Sequence, residues 1–166
     1  RRGGALRCQP SAADPYGADS GAPYRGAVAA AAGDGVHVTV ASMAFIDCTA
    51  LVVADGASAT VVDAYVIDSP PSDCWGCANA GVRLHGAVNV SILASHFVNR
   101  VYTEGRQNRT ALGGSGVRGT DVDGLLVLGS RFERSAAYDD GGAVWCVDCT
   151  RVVIKHSVFL DPFCVY

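Results

Sequence analysis

A fifteen-residue module recurs five times without gaps and constrains this chain more than any other feature. Its anchors are Phe45, Val66, Phe97, Phe132 and Phe159. Five residues before each anchor stand Val40, Val61, Ile92, Val127 and Ile154, all β-branched. Seven before stand Val38, Ala59, Val90, Leu125 and Val152, and fifteen before stand Ala30, Leu51, Val82, Val117 and Val144. The stretches 39–48 (TVASMAFIDC) and 60–69 (TVVDAYVIDS) align residue for residue. Repetition of this kind marks a unit that cannot bury its apolar face alone and must stack on its neighbours.

Within one module, Val82 and Leu84 alternate with Arg83 and His85, the pattern of a short strand with one buried face. Gly86-Ala87 makes a turn, Val90 and Ile92 alternate around Ser91 in a second strand, and Ser95 and Phe97 close a third edge. The anchors lie 21, 31, 35 and 27 residues apart, so Gly-, Asp- and Pro-rich loops of variable length join the modules. Short strands at fixed offsets suit either an antiparallel sandwich or a parallel β-helix. The gap-free alignment favours the β-helix, because coils stacked about 4.8 Å apart put the same residue type at the same rung position. The expected architecture is an all-β solenoid of about five coils over residues 30–166. Residues 1–29 show no module and read as an irregular arm or an incomplete coil; Ala27-Val28 is an alternative opening to Ala30 for the first module.

The first residues (RRGGALRCQP) hold no initiator Met and no apolar leader, and the last (DPFCVY) follow a strand with no polar cap. The expectation is a segment of a longer protein. No run approaches the roughly 18 apolar residues of a membrane-spanning helix. A formal charge of −3 favours neither nucleic acid nor an anionic membrane as partner. Seven cysteines in 166 residues point to an oxidising compartment, and the odd number leaves at least one thiol free or paired outside the chain. Two glycosylation sequons agree with that compartment, Asn108-Arg109-Thr110 and Asn89-Val90-Ser91.

The joint Phe132-Glu-Arg-Ser-Ala-Ala-Tyr-Asp-Asp-Gly141-Gly142-Ala143-Val144 resembles the F-x-x-N … G-G-A-I repeat of polymorphic outer-membrane proteins and related β-helical surface proteins. Ser135 takes the Asn place and Val144 the Ile place. Phe45-Ile-Asp-Cys48 is a looser match, and Phe97-Val-Asn-Arg100 and 112–117 (LGGSGV) depart further. The resemblance implies a right-handed parallel β-helix with a surface, adhesive or structural role.

Several columns bear on chemistry. Eleven residues before the anchors stand Asp34, Asp55, Gly86, Asp121 and Asp148. Stacked carboxylates are one way to hold Ca²⁺; Asp as a turn residue is the simpler reading. Ser95, Ser130 and Ser157 stack two residues before their anchors, at a turn. Cys74-x-x-Cys77 and Cys146-x-x-Cys149 invite a zinc reading, but their separation is far longer than in a compact zinc ribbon. Local or inter-coil disulfides fit better: Cys146 falls in the inward column of Val53 and Leu84, and Cys48 and Cys74 sit on neighbouring turns. His37, His85, His96 and His156 occupy four different rung positions and form no ligand column.

Arg83, Arg118 and Trp145 share an outward column, a possible ligand face for sugar or protein. Gly119-Thr120-Asp121 and Asp139-Asp140-Gly141 faintly resemble two acidic motifs of polygalacturonases, whose Gly-His-Gly and Arg-Ile-Lys motifs are missing. Loops 67–81 and 98–116, with Trp75 and Tyr102, leave the solenoid on one edge, where solenoids place binding surface. The expected role is therefore a structural or adhesive segment of an extracellular, cell-surface glycoprotein. No catalytic residue and no cofactor are assigned. Its partners are expected to be other proteins, copies of itself or glycans. The runner-up is a carbohydrate-active enzyme or polysaccharide-binding module of the pectate lyase or polygalacturonase type.

Overall fold

A computed structural model of the chain describes residues 5–7, 29–46, 51–68, 81–99, 116–137, 142–161 and 163–164. Every regular element among them is a strand, so no helix there is long and apolar enough to cross a membrane. A first strand, β1 (Ala5–Arg7), precedes the coils. Coil one comprises β2 (Ala29–Ala32), β3 (His37–Ala41) and β4 (Ala44–Ile46). Coil two comprises β5 (Leu51–Ala54), β6 (Ser58–Val62) and β7 (Tyr65–Asp68), and coil three β8 (Val82–His85), β9 (Val88–Leu93) and β10 (His96–Asn99). Coil four comprises β11 (Val117–Thr120), β12 (Asp123–Leu128) and β13 (Arg131–Glu133), followed by β14 (Ala136–Ala137). Coil five comprises β15 (Val144–Val147), β16 (Thr150–Lys155) and β17 (Val158–Leu160), followed by β18 (Phe163–Cys164).

Three parallel sheets result, ordered β2-β5-β8-β11-β15, β3-β6-β9-β12-β16 and β1-β4-β7-β10-β13-β17; β14 pairs with β18 in a fourth, two-stranded sheet. This is a parallel β-helix of about five coils. The anchor column runs Phe45, Val66, Phe97, Phe132, Phe159 in direct register. The columns five and seven residues before it run unbroken from Val40 to Ile154 and from Val38 to Val152. In coils two to four these inward residues are buried, each burial contributing about 1.5–3 kcal/mol for a large apolar side chain. Phe97, Phe132 and Phe159 stack face to face, with centroids 4.9 and 5.0 Å apart.

The strands turn at corners where the backbone enters the left-handed region. One corner is formed by Ser42, Asp63, Ala94, Gly129 and His156, with φ between 46° and 61°. A non-glycine residue there is strained by about 1–2 kcal/mol, and the stack holds it. Ser42, Asp63, Ala94 and Gly129 each donate their N–H to a carbonyl of the next coil, at 2.9–3.1 Å. Just past this corner the serine column forms a ladder. Ser95, Ser130 and Ser157 each accept an N–H from the preceding coil at 3.2 Å, from Ala64, Ser95 and Ser130 respectively. Each hydroxyl donates in turn to the carbonyl two residues back in its own coil.

The structure corrects the register of the first coil. Ala29, not Ala30, pairs with Leu51 and heads the column that continues through Val82, Val117 and Val144. Coil one carries three residues, Gly33, Asp34 and Gly35, between Ala32 and Val36, where coil two has only Asp55 and Gly56 between Ala54 and Ala57. The gap-free alignment also hides a compensation. Coils three to five have a single residue at this corner, Gly86, Asp121 or Asp148, and regain the lost length with a bulge inside the next strand. Asn89, Gly124 and Arg151 form that bulge, with φ of 50°, 90° and 51°.

Candidate functional site

The β5–β8–β11–β15 sheet aligns Val52, Arg83, Arg118 and Trp145 across its outer face, as their alternation with buried neighbours requires. The Arg118 guanidinium lies 4.8 Å from the Trp145 ring centroid, within cation–π range. All three candidate ligand-face residues are half-buried. They form one continuous strip of cationic and aromatic surface that can stack on a sugar ring or accept a partner's carboxylate.

At the next corner, Cys146 and Cys149 form a disulfide across Asp148, with Cα atoms 5.8 Å apart. Cys146 stands in register with Gly119 and Leu84 and packs against the core, as its inward column demands. Gly119 makes room for it: a β-carbon there would come within 2.9 Å of Cys146 Sγ and 3.2 Å of Val122 Cγ2. The disulfide is local, one of the two arrangements the spacing allows. Cys48, Cys74 and Cys77 lie outside the described residues, as do the Asn108 sequon and Asp139-Asp140-Gly141.

The acidic column is not the continuous stack its spacing suggests. Asp55, Gly86, Asp121 and Asp148 share one corner position at φ of 52–59°. In coil one Gly33 takes that place, since its N–H bonds Ala54 O as the Asp55 N–H bonds His85 O. Asp34 sits one residue on, its carboxylate over Gly56. Among the described residues no three His, Cys, Asp or Glu side chains gather to hold a metal ion.

Two polar clusters escaped the sequence reading. On the outer face of the third sheet, Tyr65 meets His96 edge-on at 5.0 Å, and His96 Nε2 lies 3.1 Å from Glu133 Oε1. That approach lacks hydrogen-bond geometry and becomes an ion pair when the imidazole is protonated. Arg131 Nε donates to the same carboxylate and holds the Glu133 carboxyl below its usual range. Tyr65, His96 and Arg131 all stand one residue before their anchors and Glu133 one after, a signal visible only once the anchors are aligned in space. In the second cluster, Asp123 accepts from Arg151 Nε at 2.7 Å and from the Thr150 hydroxyl, both of which hold its carboxyl low.

Comparison of the chain with protein-family models, with curated proteins and with solved structures returned no match.

Proposed function

We propose that this chain is a structural or adhesive segment of a large extracellular, cell-surface glycoprotein, a stiff β-helical body that presents its loops to partner proteins or to copies of itself. The observation that carries the reading is the lock between coils. The Phe97–Phe132–Phe159 stack joins coils three to five and the serine ladder coils two to five, through side chains as well as backbone. A repeat built this way resists bending and shear, which suits a spacer or scaffold. The Cys146–Cys149 disulfide supports the oxidising compartment. The F-x-x-N … G-G-A resemblance points the same way.

Chemical cross-linking of the native protein in its own extracellular material, followed by peptide mass spectrometry, tests this reading. Cross-links to other extracellular proteins or to a second copy are expected. Their absence, together with a cytosolic location, would sink it.

A second reading is favoured by one observation, the Arg118–Trp145 stack in line with Arg83. Such a strip suits a polysaccharide-binding or carbohydrate-active module. Co-sedimentation with polyuronates, lost in Trp145→Ala, or depolymerisation of those polymers would establish it in place of the scaffold role.

A further inference from the structure

The β9–β12–β16 sheet carries several large apolar residues on its outer face. In coils one and two its outward positions carry Thr39 and Ala41, and Thr60 and Val62. In coils three to five the same positions carry Ser91 and Leu93, Leu126 and Leu128, and Val153 and Lys155, alternating with the buried Ile92, Leu125 and Val127. Leu128 is 36% exposed and Val153 38%. Asn89, the acceptor of the Asn89-Val90-Ser91 sequon, stands on the bulge at the start of this face and is exposed. Its left-handed backbone is one that Asn tolerates better than most residues. The side chain leans toward coil four: Oδ1 lies 3.1 Å from where a β-carbon on Gly124 would stand. Arg151 Nη2 lies 3.3 Å from the same point, so the Asn89 and Arg151 side chains meet over Gly124 from the two flanking coils.

We propose that Asn89 carries an N-linked glycan, and that its inner sugars lie over the Leu93, Leu126, Leu128 and Val153 face. The proposal rests on the extracellular reading above. In the transfer, Nδ2 of Asn89 bonds to the anomeric carbon of a lipid-pyrophosphate-linked oligosaccharide. The anomeric C–O bond breaks, the pyrophosphate leaves with that electron pair, and one Nδ2 proton passes to a base. The apolar faces of the pyranose rings then shield leucines that water would otherwise cover, which accounts for the four apolar side chains on this outer face.

The test uses the native protein, mapped by peptide mass spectrometry without reduction, before and after peptide-N-glycosidase. Glycan mass on the Asn89 peptide is expected, with complete loss in Asn89→Gln and in Ser91→Ala. Deglycosylation is expected to raise binding of an apolar fluorescent dye severalfold, a rise abolished in the deglycosylated Leu126→Thr/Leu128→Thr variant. A bare Asn89 beside an intact Cys146–Cys149 disulfide overturns the proposal and leaves the extracellular reading standing. A bare Asn89 with both thiols free overturns both. A glycan at Asn89 with unchanged dye binding overturns the shielding.

Discussion

Two side chains show how the coils are locked at the scale of single residues. Ser130 is 1% exposed; its hydroxyl accepts the Ser95 N–H and donates to Leu128 O. Ser130→Ala leaves a buried N–H without an acceptor, and the expected cost is about 1–3 kcal/mol. Ser157 plays the same part in coil five but is only half-buried, so Ser157→Ala should cost less. Urea unfolding of the two variants checks the order. Gly116 makes the complementary point about space. A β-carbon there would stand 2.7 Å from two Phe132 ring atoms and 2.9 Å from Ala143 O. The ring is held in the aromatic stack and the carbonyl is backbone, so neither can move aside. Gly116→Ala is expected to cost about 1–3 kcal/mol by overpacking. Gly81→Ala meets only side chains, Val66 and Phe97, at 2.9–3.1 Å, and should be milder in the same assay. A small residue one step before the first strand of a coil is thus what the Phe anchor requires, and this gives the Gly-Gly-Ala element before Val144 a steric meaning.

Between elements, the β12–β16 pair carries an exposed ionic contact whose effect on stability has a definite sign. Arg151 and Thr150 hold the Asp123 carboxyl below its ordinary value of 3.8. A group depressed in the folded state contributes stability above its unfolded pKa and loses it as pH falls through the folded pKa. Arg151→Gln should raise the Asp123 pKa toward the ordinary value, read by carboxyl carbon shifts in an NMR titration. The small stability difference between variant and parent should be present at neutral pH and vanish in strong acid. A difference that survives below both pKa values would assign the contact's effect to packing of the Arg151 side chain. The same pair of strands marks where sequence reasoning stops. The inward columns were legible because β-branched and Phe side chains repeat at fixed offsets, and the outward Arg83–Arg118–Trp145 strip followed from the same count. The bulge at Asn89, Gly124 and Arg151 was not legible, since a one-residue shorter corner cancels it and the module length stays at fifteen. Nor do Asn, Gly and Arg share a side-chain property that would mark one backbone conformation. The first coil slipped by one residue because Ala29–Ala32 are identical and give no phase to read. The His96–Glu133 contact was missed because its partners sit on opposite sides of the anchor column.

At the scale of the whole molecule, each coil touches only its neighbours, so destabilisation should spread by one coil and no further. Val127 is fully buried, between Ile92 of coil three and Ile154 of coil five. Val127→Thr preserves shape but buries a hydroxyl, at a cost of about 1–3 kcal/mol. Amide exchange should then quicken in β9, β12 and β16 together. Ile154 occupies the same column one coil on, yet it is 41% exposed, as Val152 and Phe159 are 39% and 37% exposed on the same open face. There the threonine hydroxyl reaches water, so Ile154→Thr should quicken exchange less, in β16 and its neighbour β12, and leave β6 and β9 at the parent rate. Reducing the Cys146–Cys149 disulfide should act like Ile154→Thr and not like Val127→Thr, since it releases the corner between β15 and β16 while the Phe97–Phe132 stack stays intact. Exchange that quickened uniformly through all the coils in any of these cases would mean that the solenoid opens as one cooperative unit. The nearest-neighbour account of its stiffness would then fail, and the case for a mechanical spacer would lose its physical basis.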